Sequence, residues 1–301
     1  MIKKKILIEE IITFLGDKVI NVDGPLQDVF IDNLAEVERV NETTLDWINS
    51  SKANKQEIAE QSKARVLLVD ESVAPIAGKT FIHVKKPKLV IAQIGNHFFV
   101  EPWQPDFHPT AIIHPEAQIG IDCYIGPYTI IGRAVIGDHT YVDSHVRIYD
   151  SVELGHDCLV KAGAVLGGAG FGYEKDEEGN RFRFPQIGQL IIGDYVEIGS
   201  NTCIDRGALA DTVIGDYTKI NNLCHIAHNN KIGRNVMITG CVNISGSNII
   251  DDYAWIAPNS SIRGWVHIGE RATVGMGAVV VKDIPAGETW VGNPARKLEK
   301  K

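Results

Sequence analysis

IGDYTKINNLCHIAHNNKIGRNVMITGCVNISGSNII, residues 214–250, carries isoleucine at every sixth position: Ile214, Ile220, Ile226, Ile232, Ile238, Ile244 and Ile250. The series runs on through Ile256, Ile262, Ile268, Val274 and Val280. Helices repeat every 3.6 residues and strands every two, so neither accounts for a strict six. Earlier in the chain Ile113, Ile119, Ile125 and Ile131 keep the same beat. After a slip of one residue it resumes at Ile136, Val142, Ile148, Leu154, Val160 and Leu166, and again at Ile192, Ile198 and Ile204. A period of six marks a parallel β-helix, in which three six-residue faces close one coil of about 18 residues. Each aliphatic then points inward and stacks on its counterpart one coil away, at the ordinary interstrand spacing of about 4.8 Å. Glycine often follows the aliphatic, as at Gly126, Gly137, Gly193, Gly199, Gly215 and Gly233. Positive φ at tight corners would explain those glycines. The position two before each aliphatic should also face inward. Cys123, Cys158 and Cys224 fall there and read as small core filler.

The repeat breaks over 167–191, GGAGFGYEKDEEGNRFRFPQIGQLI, and again over 205–213, DRGALADTV. A long loop thrown out of a regular scaffold is usually functional. The first hundred residues lack the period. Lys4 to Leu15 and Lys88 to Phe98 read as helices, Val66–Val69 and Thr80–Val84 as short strands, and the proline-spaced segment 101–110 as a linker. The expected architecture is therefore mainly β. A small α/β domain at 1–105 precedes a β-helix at 106–291 and a C-terminal tail at 292–301.

Composition narrows the function classes. A net charge of −8 speaks against a nucleic-acid partner. The apolar run Ile6–Ile8 is too short for a signal peptide, and no run approaches the roughly 18 residues of a transmembrane segment, so a cytoplasmic protein is expected. The odd count of five cysteines reads as free thiols, and none forms a C-x-x-C pair.

His225 and His228 flank the inward Ile226. Three readings stand: a metal pair, a catalytic base, or surface residues. No two of the ten histidines are five apart, as a zinc-type carbonic anhydrase on such a scaffold would require, and no metal site is expected. His228 lies two residues past Ile226, where a side chain can project outward. One coil on lies Gly246, and another coil on lies Gly264. A base beside an open main-chain N–H is the minimum kit for acyl transfer, since one takes a proton and the other holds an oxyanion.

GFGY (170–173), PQIG (185–188), the segment 193–215 and HIAHN (225–229), set in hexapeptide repeats, carry a specific resemblance. The chain resembles the hexapeptide-repeat acyltransferases with a left-handed β-helix. Within them it is similar to the UDP-3-O-(3-hydroxyacyl)glucosamine N-acyltransferases of lipid A biosynthesis. The resemblance implies His228 as base, Gly246 as oxyanion donor, a homotrimer with sites between neighbouring β-helices, and an N-terminal domain for the uridine end of the substrate. Phe171, Gly172 and Tyr173 would wall the substrate side together with Gly207. Asp205 and Arg206 either bind substrate or pair with each other. Trp47 and Asn49, in WINSSK (47–52), echo the family's uracil motif, with a core tryptophan as the other reading.

On the donor side the resemblance implies Gly264 and Trp265. Trp265, not His267, falls where the family has its second active-site histidine. The segment 280–297 looks like the closing segment of coenzyme-A-dependent sugar acetyltransferases. Lys282 and Arg296 would there sit near the coenzyme's phosphates, or else be solvated charges. The family's C-terminal helical extension is not found before Lys301. The expected activity is thus acyl transfer from acyl-carrier protein or acyl-CoA, as co-substrate rather than bound cofactor, to a nucleotide-linked amino sugar. The alternatives are acyl-CoA-dependent acylation of a dTDP-amino-dideoxy sugar and a non-catalytic β-helical scaffold.

Overall fold

From Ile125 to Val280 every aliphatic of the six-residue series is buried, and together these residues form one continuous core. This is the arrangement of a computed structural model that describes residues 5–299. The aliphatics lie on three faces, sheets of eleven, nine and eight strands. Registers run one coil to the next: Ile204 beside Ile226, Ile226 beside Ile244, Ile244 beside Ile262. The pairing is parallel until Arg296–Lys297, which lies antiparallel to Thr289–Val291. The architecture is the left-handed β-helix. At its first coil Ile113 and Ile119 are half-buried, with a neighbouring coil on one side only.

The corners correct the sequence reading of glycine. Positive φ falls three places before the aliphatic, and non-glycine residues hold it: Asn229 at 62°, Ser247 at 65° and Trp265 at 64°. The glycines that follow the aliphatics serve close approach instead. A β-carbon on Gly199 would lie 2.3 Å from the Asn221 carbonyl carbon, and one on Gly215 would lie 2.6 Å from that of Gly233. Coils stack too tightly there for any side chain. Cys123, Cys158 and Cys224 are buried as filler. Burial pushes the Cys158 thiol up to about 11, while its Sγ donates to the Gly193 carbonyl at 3.2 Å.

The chain divides into two units between Pro102 and Trp103. The first holds a four-stranded sheet in the order Val19–Asp23, Thr80–Val84, Val66–Val69, Leu45–Trp47. Helix α1 spans Ile8–Leu15, α2 spans Lys55–Gln61 and α3 spans Pro87–Phe98. Proline opens α3 without loss because its missing N–H would be unpaired there anyway. α1 starts later than the sequence suggested. Ile6–Leu7 is taken up by antiparallel pairing with Phe30–Ile31, and Lys4 lies outside the described residues. α1 buries Ile8, Ile11 and Leu15, one face of an amphipathic turn pattern. No helix of the described residues is long and apolar enough to cross a membrane.

α2 is tied to the sheet by Lys55, whose Nζ lies 2.7 Å from Asp70 Oδ2. Burial works against the Asp70 carboxylate, but hydrogen bonds from Lys55 and Ser72 outweigh it and hold the group well below its ordinary 3.8. The depressed folded-state value means that the stabilisation is complete above the unfolded value and declines as pH falls beneath it. Asp70→Asn should therefore destabilise the protein by at least about 1 kcal/mol at pH 7. The difference between variant and parent should shrink below about pH 4, as urea titrations at the two pH values would record.

Candidate active site

The corner that follows the nine-stranded face gathers the candidate residues into a column. Two places beyond Ile204, Ile226, Ile244, Ile262 and Val280 stand Arg206, His228, Gly246, Gly264 and Lys282, while below them a bulge sets Gly168 opposite Asp205. The spacing of one coil brings His228 and Gly246 side by side. A β-carbon on Gly246 would lie 2.7 Å from His228 Cε1 and 3.0 Å from Nε2, so the imidazole occupies the space that a side chain would need. The Gly246 N–H has no acceptor among the described residues.

The other flank of the ring is a second glycine, Gly170, which sequence reasoning did not single out. Its β-carbon would lie 2.8 Å from His228 Cδ2 and 2.8 Å from Gln186 Oε1. The imidazole is thus slotted between glycines of two different segments. The long loop makes this possible by folding back on the helix. Its middle is a hairpin, Tyr173–Lys175 with Arg181–Arg183. Its end is clasped to the second break in the repeat: Ile187 N–H donates to the Ala208 carbonyl at 2.8 Å and Gly207 N–H to that of Gln189 at 3.0 Å. The motif GFGY was the only sequence signal for Gly170, and PQIG the only one for Gln186.

Asp205 and Arg206 do not pair with each other. Arg206 Nε donates to the Gly188 carbonyl at 2.6 Å and holds the loop end. Asp205 Oδ2 faces His225 Nε2 at 3.8 Å. Burial pushes the Asp205 carboxyl up, while His225 and then His228 pull it the other way. His228 Nδ1 is buried with no protein partner among the described residues.

The remaining candidates scatter. Phe171 is 86% exposed, and its ring meets that of Tyr173 edge-on at 5.0 Å. Gly172 packs on Gln186, with 3.1 Å from its would-be β-carbon to Nε2. Trp265 is 85% exposed at the corner position that Asn229 fills beside His228. His267 lies on the eight-stranded face, bound to Asp251 at 2.8 Å. Lys282 ends the column, whereas Arg296 lies in the last antiparallel strand, and both are exposed. In the first unit Trp47 is half-buried: it packs on that unit's core and also lines a cavity of about 560 Å³ with Asn49, Leu34, Val37 and Lys52. The two readings of Trp47 are therefore compatible.

The bacterial transferase hexapeptide (six repeats) family matches residues 133–168 and 249–282. The chain is 37% identical over 315 residues to the UDP-3-O-acylglucosamine N-acyltransferase 1 of Francisella tularensis subsp. holarctica, with 96% of this chain and 90% of that protein covered. It is 32% identical over 296 residues to the UDP-3-O-acylglucosamine N-acyltransferase of Coxiella burnetii, with 90% and 83% covered. Among solved structures it is similar to the UDP-N-acetylglucosamine acyltransferase of Francisella novicida, with TM-score 0.58, 28% identity, and 64% of this chain and 68% of that one covered. The corresponding enzyme of Bacteroides fragilis gives TM-score 0.57 and 28% identity, with 63% and 72% covered.

Proposed function

Because the chain belongs to the UDP-3-O-acylglucosamine N-acyltransferase family, whose members are enzymes that acylate a sugar amine, we propose that it transfers an acyl group from a thioester to the 2-amine of UDP-3-O-acylglucosamine, with His228 as base and the Gly246 N–H as oxyanion donor. The observation that carries this reading is the imidazole lying in the space of the absent Gly246 side chain.

The sugar amine attacks the thioester carbonyl and forms a C–N bond. His228 removes a proton from the nitrogen as charge develops there. The carbonyl oxygen becomes an oxyanion and accepts a hydrogen bond from Gly246. As the C–S bond breaks, the electron pair leaves with sulfur, and the proton on His228 can follow it to give the thiol. A well-placed base contributes about 10²–10⁴ in rate, and a lost oxyanion donor costs about 10²–10³.

Phe171, Gly172 and Tyr173 wall the substrate side, with Asp205 as a polar contact and Arg206 holding the loop that carries them. Trp47 and Asn49 take the nucleotide base. Gly264 and Trp265 face the acyl donor, with Lys282 and Arg296 toward its phosphates. The donor is acyl-carrier protein or acyl-CoA, the enzyme works in the cytoplasm, and the assembly is a homotrimer with one column of site residues at each interface. The test is mass spectrometry of products from a panel: acyl-carrier protein against acyl-CoA, crossed with UDP- and dTDP-linked amino sugars. N-acylated UDP-3-O-acylglucosamine is the expected product. Turnover of dTDP sugars alone, with short acyl-CoA, would overturn the assignment.

A further inference from the structure

On the corner after the eight-stranded face, the N–H two places beyond each aliphatic is commonly capped from the next coil. Asp138 Oδ1 accepts from Ile121 at 2.9 Å, Asp194 from His156 at 2.8 Å, Asp216 from Asp194 at 3.0 Å and Asp252 from Arg234 at 2.9 Å. The corner that carries His228 obeys the same rule lower down, where Asp150 Oδ1 accepts from Arg133 N–H at 2.9 Å. Above Arg133 the rule lapses on this corner: the N–H groups of Asp150, His228, Gly246 and Gly264 have no acceptor among the described residues, and Gly246 is the one beside the imidazole. The residue that would cap Gly246 is Gly264, which has no side chain to offer.

The inner side of the same peptide is unusual too. The column two places before each aliphatic of the eight-stranded face holds Ala134, Val152, Leu190, then the buried Thr212, and beyond this level Val266, while at this level it holds the amides Asn230 and Asn248, both fully buried. A buried amide is costly unless it is bonded. Asn248 Nδ2 donates to the Ser245 carbonyl at 2.6 Å. Asn230 Nδ2 donates to that same carbonyl at 3.0 Å and to the Ala227 carbonyl at 2.6 Å. The Ser245 carbonyl and the Gly246 N–H belong to one planar peptide group. Fixing the oxygen inward fixes the N–H outward, and donors on the oxygen polarise the N–H.

We propose that Asn230, Asn248 and Gly264 are positioning residues for the Gly246 N–H: the asparagines hold its peptide from inside the coil, and the glycine leaves the N–H uncovered outside. This rests on Gly246 being the oxyanion donor. A β-carbon at Gly264 would press on the Gly246 carbonyl oxygen at 2.9 Å, so any replacement there shares one steric burden and alanine is the reference.

Steady-state kinetics of the full-length enzyme test both halves. Gly264→Asn adds the cap that Gly264→Ala lacks, and its kcat should fall at least about 100-fold below that of the alanine variant at similar KM and melting temperature. Asn248→Val should lower kcat at least about tenfold at unchanged KM. Thr218→Val removes the same kind of inner contact on the eleven-stranded face, where Thr218 Oγ1 donates to the Gly233 carbonyl at 2.8 Å, and should leave kcat unchanged. Equal kcat for the two Gly264 variants, or equal loss from Asn248→Val and Thr218→Val, would overturn the proposal. His228→Ala in the same assay separates the two levels. If it abolishes turnover while Gly264→Asn remains active, only the positioning inference fails. If His228→Ala stays active, the site reading itself fails.

Discussion

His228→Ala lowers kcat by about 10²–10⁴ and leaves the fold in place. The size follows from the chemistry. A sugar amine attacking a thioester must shed a proton, and the imidazole is the group on the corner column able to accept one near neutral pH. The fold is spared because the side chain is half-buried and makes no hydrogen bond through Nδ1 among the described residues. Its removal empties a slot between Gly170 and Gly246 rather than part of the core. Rapid-quench measurement of a single turnover isolates this step from product release. Wild-type single-turnover rates in the variant would remove His228 from the chemistry.

Gly246→Ala is the second large effect. The backbone at this position does not need positive φ, so alanine is acceptable to the chain, and the N–H is retained. What fails is space, because the new methyl would lie 2.7 Å from His228 Cε1. The ring must move, and the base loses its alignment with the N–H that was to share its substrate. A loss of kcat of at least about 10² is expected, with a stability change of about 1–3 kcal/mol from overpacking. A crystal structure of the variant should show the imidazole rotated away. Full activity with the ring unmoved would contradict the slot geometry.

The parts legible in the sequence were those that repeat. Ile214 to Val280 announce the coil because each must fill the same interior place, and the coil length then carries His228 onto Gly246 without further information. In the first unit α1 and α3, read at 4–15 and 88–98, and the strands Val66–Val69 and Thr80–Val84 were legible, while the shorter or more polar elements were not. Val19–Asp23 alternates weakly, half-buried and exposed, and passed unnoticed. Gly170 and Gln186 were out of reach because a loop without a period obeys no rule that says where it returns. The glycines after the aliphatics were placed correctly and explained wrongly. Their need comes from the neighbouring coil, as Gly199 against Asn221 makes plain, and a local reading of φ does not see that neighbour.

Adjacent windings meet through parallel ladders and the corner hydrogen bonds beside them, so the register of any residue is counted from the winding beneath it. Evolutionary changes of length in such a chain face a strict grammar. Loss or gain of a whole winding outside 228–246 slides His228 and Gly246 along the axis without parting them. Loss of a single hexad within that interval would turn the glycine onto a neighbouring wall. Material can be added freely only where the chain leaves the prism, as it does after Leu166, and it is there that lineages sharing this scaffold have room to diverge in what they recognise.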